Sequence, residues 1–141
     1  MNYLGGSCFF ANLCLPLLQK GKYMELTKQD RRVLKDIIRT GILRRCEEWL
    51  AETSALISKE YVDDENAFDR CMEVTKRSRD FFKEAMRRED YYRNTMIELG
   101  IENLLFEGYL TEADFAECRE ELRTYILERH QQLKNMRVEE Q

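Results

Sequence analysis

The chain holds one proline and one histidine, and only six glycines, in 141 residues. So few breakers cannot supply the turns of a many-stranded β protein, and long uninterrupted elements are expected. A single histidine, His130, cannot furnish the paired Glu-x-x-His ligands of a di-iron bundle; the residue three before it is Leu127. No closely spaced Cys or His pair is present to start a zinc site. The five cysteines (Cys8, Cys14, Cys46, Cys71 and Cys118) are odd in number and include no CxxC, so no disulfide framework is read from them. Neither GxxxxGK[ST] nor GxGxxG occurs, which removes the usual phosphate cradles. Asn103–Asp114 has the length of a calcium loop with Gly108 sixth, but Leu105 stands at the third place and Asp114 at the twelfth, where oxygen ligands and a glutamate are needed. With no nucleophile–base pair, metal set or cofactor loop, the expectation is a protein that is not an enzyme and carries no cofactor.

Apolar runs are scarce too. A spanning helix needs about 20 apolar residues, and Cys8–Leu18 is shorter and interrupted by Pro16. No basic stretch precedes that run, so a signal peptide is not expected either. Residues 1–24 have no acid and carry only Lys20 and Lys22, unlike everything after them. They read as an apolar arm, either an extension upstream of a start at Met24 or a segment that packs on the body or touches a membrane. Cysteines on apolar helical phases (Cys46, Cys71, Cys118) suit a reducing, cytoplasmic setting.

What is abundant is helix-forming. Leu, Glu, Arg, Lys and Met dominate residues 25–141, which read as one helical domain. Thr27 is a natural N-cap, followed by Asp30 in the first turn. Val33, Leu34, Ile37, Ile38, Ile42, Cys46, Trp49, Leu50, Thr53, Leu56 and Ile57 then keep helical spacing, predicting a helix over 28–57 with Gly41 inside it. Ser58–Asp64 is a polar connector short enough for an antiparallel turn. A second stripe (Phe68, Cys71, Met72, Thr75, Ser78, Phe82, Ala85, Met86) continues through Tyr92, Met96, Leu99, Asn103 and Phe106. One helix over 65–107, about 64 Å long, is favoured over a bend near Arg88–Asp90 with Asp90 as a new cap. Gly108 should end it in the left-handed conformation. Thr111 should cap a last helix whose stripe is Phe115, Cys118, Leu122, Tyr125 or Ile126, and Leu133, with His130 on a solvated turn and residues 134–141 frayed. The fold class is therefore all-α, an antiparallel, coiled-coil-like bundle of three long helices, or four if the second bends.

Leu99–Leu122, LGIENLLFEGYLTEADFAECREEL, joins an apolar helix to Gly-Tyr-Leu-Thr, an acidic start and a phenylalanine. In this it resembles the short C-terminal helical-hairpin (SHOCT) family, over about a sixth of the chain. The resemblance implies a packing or oligomerisation hairpin and brings no catalytic residues.

Charge is segregated. Residues 28–45 carry a net +5, residues 76–93 a net +3 and residues 98–128 a net −7. In an antiparallel hairpin the two basic clusters lie at one end, where the acidic C-terminal part can neutralise them within the chain or across a dimer. Alternatively Arg31, Arg32, Lys35, Lys83, Arg87 and Arg88, with Tyr91 for stacking, form an anion or partner surface. The functional expectation is an interaction module, self-associating or bound to another helical protein through a long amphipathic helix. Nucleic acid or an acidic partner on the basic clusters is the alternative, and a membrane is expected to be reached only through residues 1–20.

Overall fold

The computed structural model describes residues 24–140, and in that range every regular element is a helix. The apolar arm, Cys8 and Cys14 lie outside the described residues. Four α-helices follow one another: α1 Lys28–Ser58, α2 Ala67–Glu89, α3 Ile97–Phe106 and α4 Glu120–Glu139. Short 3-10 turns at Asp90–Tyr92 and Glu112–Phe115 sit between the later pairs.

Helix α1 begins where its cap predicts. The Thr27 hydroxyl accepts from the Asp30 amide and the Asp30 carboxylate accepts from the Thr27 amide, each at 3.0 Å, closing a capping box that satisfies two otherwise orphaned donors. The Asp30 carboxylate also receives the Arg119 guanidinium at 2.9 Å through two nitrogens, tying the start of α1 to the start of α4.

The single long helix expected over 65–107 is broken. Helix α2 stops at Glu89, and Asp90 is its C-cap rather than the cap of a new helix. The chain turns through residues 90–96, and α3 starts at Ile97. Burial explains the break: Ile97, Ile101, Leu104 and Leu105 must reach the same apolar cluster as Leu34, Ile37 and Ile38 of α1, which a straight rod could not deliver. Two glycines allow the approach. A Cβ on Gly100 would lie 2.6 Å from Tyr91 Cβ, and one on Gly41 would lie 3.1 Å from Leu104 Cδ1. Gly41, a weak point by propensity alone, leaves room for Leu104 of α3 and for Leu110 after it.

Gly108 takes φ +82° and ends α3 as predicted, with the Tyr109 amide donating back to the Leu104 carbonyl at 3.0 Å. Thr111 and Asp114 form a second capping box, but over a 3-10 turn; α4 starts only at Glu120. The side chains foreseen for that stripe, Phe115, Cys118, Leu122, Ile126 and Leu133, are buried nonetheless. Helix α4 runs on to Glu139, past the point where fraying was expected, because Leu133 still packs and Gln131 donates to Asn135 at 2.9 Å.

Candidate interaction surface

The C-terminal half of α1 and the whole of α2 form an antiparallel pair that stands beside the core. Its seam is thin and largely polar. The Trp49 and Phe81 rings stack at 4.6 Å. Arg45 lies 5.4 Å over the Phe81 ring and pairs with Glu84 at 3.3 Å. At the turn, Arg70 donates to the carbonyls of Leu56, Lys59 and Glu60 and to the Glu65 carboxylate. One guanidinium thereby satisfies acceptors left over at the end of α1. The connector itself bends at Asp64, with φ 68°, and α2, capped by Asn66 at 3.0 Å from the Asp69 amide, starts at Ala67, two residues after the start at 65 expected.

The stripe expected to bury α2 faces out. Phe68 is 71% exposed and Phe82 65%, and Met72, Met86 and Cys71 are exposed as well. The seam uses Arg70, Val74, Phe81, Glu84 and Arg88 in their place. Arginine, glutamate and one aromatic meet across it, so hydrophobic periodicity picked the flank of the helix rather than its seam. On α1, Leu43, Leu50 and Ile57 are also exposed, at 50–61%. The outcome is a two-helix unit with large apolar side chains outside and ion pairs inside.

The basic residues singled out from the sequence do not converge. Arg31, Arg32 and Lys35, with Lys28, line an open groove of about 560 Å³ whose other walls are Asn94 and Asp36. This groove runs along α1 beyond the end of α2, on the stretch that the break at Glu89 leaves uncovered. Arg87 lines a different groove, about 300 Å³, between α1 and α2, together with Arg45, Arg77, Glu52, Asp80 and Glu84. Lys83 is exposed on α2. Arg88 is not available as a surface cation: it is 5% exposed and pairs with Glu84 at 3.1 Å and with Glu107. Tyr91 is not a stacking platform either; it is half-buried against Gly100, and its hydroxyl accepts from Asn103 Nδ2 at 3.1 Å. Part of the basic charge is met within the chain. Arg44 binds both Asp114 oxygens at 2.8 Å and the Tyr109 carbonyl at 2.9 Å, and Arg88 holds Glu107.

His130 corrects its forecast. It is 8% exposed rather than solvated, with Nδ1 2.8 Å from Glu102 Oε2 and its ring edge-on to Phe106 at 4.8 Å. Burial, opposed by the hydrogen bond from His130, raises the Glu102 carboxyl above its ordinary range. Nearby, Tyr125 donates to Glu98 and accepts from Arg129, each at 2.6 Å. The cavity beside Glu98, Glu102, Tyr125 and Arg129 has a volume of about 10 Å³, space for a water and no more. The phase of Leu122, Ile126 and Leu133 was the available signal, since it carries Arg129 and His130 inward. The 28-residue separation of Glu102 and His130 was not readable as a pairing.

Among the described residues no three His, Cys, Asp or Glu side chains gather as metal ligands, and no helix is long and apolar enough to cross a membrane. Cys46, Cys71 and Cys118 are free thiols. No family model, curated protein or solved structure matches the chain.

Proposed function

We propose that the protein is a non-enzymatic interaction module whose contact surface is the outer apolar side of the α1–α2 pair. The observation that carries this reading is the exposure of seven large apolar side chains there: Leu43, Leu50, Ile57, Phe68, Met72, Phe82 and Met86. Single exposed apolar residues are ordinary, but a contiguous patch beyond a few hundred Å² on a soluble chain marks a contact surface. The reading requires a protein partner, and a reducing cytoplasmic compartment in which the three thiols stay free. A photo-reactive phenylalanine analogue at position 82, introduced in native cells, should give protein adducts. The same analogue at Tyr61, beyond the end of the pair, should give far fewer. Equal yields at both positions would sink the reading.

A second reading rests on the groove of Lys28, Arg31, Arg32 and Lys35, where four cations meet the single acid Asp36. It would take a nucleic acid or an acidic protein segment. Anisotropy titrations of a labelled oligonucleotide should then weaken linearly in log salt. The double change Arg31→Glu, Arg32→Glu should abolish binding; unchanged affinity would count against the groove.

A further inference from the structure

We infer that the apolar side of the α1–α2 pair is closed by a second copy of this chain, with the two-fold axis parallel to the helices and α1 of each copy lying on α2 of the other. This rests on the interaction reading above and names its partner.

The spacing of the exposed residues is the first argument. Leu43, Leu50 and Ile57 recur at sevens on α1; Phe68, Thr75 and Phe82 do so on α2, and Met72 and Met86 lie fourteen apart. A seven-residue repeat keeps a row of side chains aligned against another helix over many turns. The intramolecular seam has the same repeat in a different phase (Val74, Phe81 and Arg88), so the exposed rows are a second helix-packing face that nothing in the pair covers.

The second argument is placement. Trp49 and Phe81 mark where the two helices face each other. Counting 100° per residue from those two, Leu43, Leu50 and Ile57 fall about 80–120° round α1, Phe68, Phe82 and Met86 fall about 100–140° round α2, and Met72 lies at about 180°, on the outer margin of that row. In antiparallel helices the same sense of rotation carries both rows to one side. The groove residues Glu52, Asp80, Glu84 and Arg87 confirm the geometry, since their phases run in the opposite sense and they share the opposite side. Cys46, Ser78 and Ala85, all half-buried, lie between the two apolar rows. The result is a floor of small side chains with a ridge of large ones along each edge.

Area and charge then select the occupant. Seven side chains exposed by 48–71% present roughly 700 Å², close to the ~800 Å² per partner of a standard stable interface. The far edge of the α1 row carries Glu47, and the far edge of the α2 row carries Arg79 and Lys83, all exposed. With Trp49 level with Phe81, each step along α1 is matched by a step back along α2. Glu47 is thus level with Lys83, Leu43 is within one residue of Met86 and Ile57 within one of Met72, while Leu50 is within two residues of Phe82. A two-fold axis parallel to the helices preserves these levels. It sets each apolar row of one copy on the partner's other row, and Glu47 beside the partner's Lys83 and Arg79. An axis across the helices would pair α1 with α1 and bring Glu47 towards its own copy, so charge favours the parallel axis.

Sedimentation equilibrium of the full chain tests this, with circular dichroism and thermal unfolding as controls for folding. The wild type should be a dimer. Leu50→Asp and, independently, the more exposed Phe82→Asp should each leave a folded monomer, with dimer affinity down at least a hundredfold. Glu47→Lys should weaken the dimer about five- to tenfold, and adding Lys83→Glu should restore most of that. A folded wild-type monomer overturns the inference, while adducts to other proteins at position 82 in the same case would leave the interaction reading standing. A dimer that survives both Asp variants overturns the inference by placing the interface elsewhere. Charge reversal without rescue overturns the parallel axis. A full chain that is monomeric while residues 24–141 dimerise would assign the face to residues 1–23 and also overturn the inference.

Discussion

The two halves of α1 live in different proteins. From Asp30 to Gly41 one face of the helix is packed by α3, the Gly108 turn and α4, and Leu34 and Ile38 are fully buried. From Leu43 to Ser58 its only helical companion is α2, apart from the ion pair and hydrogen bonds that Arg44 and Glu48 make to the turn after α3, and its largest aliphatic side chains point at solvent. Both halves have the same apolar periodicity. In the first half, helices from two directions remove apolar area from water. In the second, the helix is held by a stacked aromatic pair, arginine forks and a carbonyl staple at the turn. Burial and exposed area thus divide one helix into a part that makes the fold and a part whose apolar side chains stay exposed.

The sharpest way to break this comparison is to remove an aromatic side chain from each half. Phe115→Ala empties a fully buried site and should cost about 3–5 kcal/mol in urea unfolding. Phe82→Ala, at concentrations where the chain is monomeric, should stay within about 0.5 kcal/mol. Comparable costs would mean that the outer row is covered within the protomer.

The break between α2 and α3 should respond next. Gly100→Ala drives a methyl group to 2.6 Å from the Tyr91 Cβ. It should destabilise by about 1–3 kcal/mol through overpacking, despite the better helix propensity of alanine. A gain in stability would show that Tyr91 can leave α3 freely.

Two buried carboxylates in the enclosed half should show opposite pH behaviour. The Arg119 guanidinium, foremost by its hydrogen bonds, holds Asp30 down at about 2 against an ordinary 3.8. Its stabilisation is therefore present above pH 4 and is lost as pH falls towards 2, on the order of 1–2 kcal/mol. Asp30→Asn should flatten that acid limb of the urea midpoint. Glu102 is raised by burial, so the folded state binds its proton more tightly than the unfolded chain, and stability should fall as pH rises from 4.5 through the elevated value. Glu102→Gln should remove that slope; an unchanged pH profile in both variants would refute the assignment.

The smallest effect is local. Arg70→Gln removes the staple from the carbonyls of Leu56, Lys59 and Glu60. Hydrogen exchange should accelerate in the last turn of α1 and the first of α2, leaving amides around Leu34 and Ile101 unaltered. Loss of protection at Leu34 would mean that the two halves unfold as one unit.

The core residues of α1 and the C-terminal part were legible because a capping box, a left-handed glycine and helical spacing are local signals. The candidate surface was legible only in fragments. Arg31, Arg32 and Lys35 share a groove because they sit within one helical turn or two of each other. Arg88 is drawn inward by Glu107 across 19 residues, and Tyr91 is set against Gly100, pairings that no local pattern announces. The stripe of α2 was visible but carried no label saying whether the fold or a partner would cover it.

By itself, then, the sequence determined that the chain is helical, that α1 starts at a Thr27–Asp30 box, that Gly108 turns the chain, and which residues of the last stripe are apolar enough to bury. Those outcomes follow from backbone propensity and short-range hydrogen bonds, which act within a few residues. Tertiary structure alone decided that α2 ends at Glu89, that His130 is buried against Glu102, that Gly41 is a contact point, and that Phe68 and Phe82 face outward. These depend on which apolar faces compete for a limited core, a competition settled between helices rather than within them.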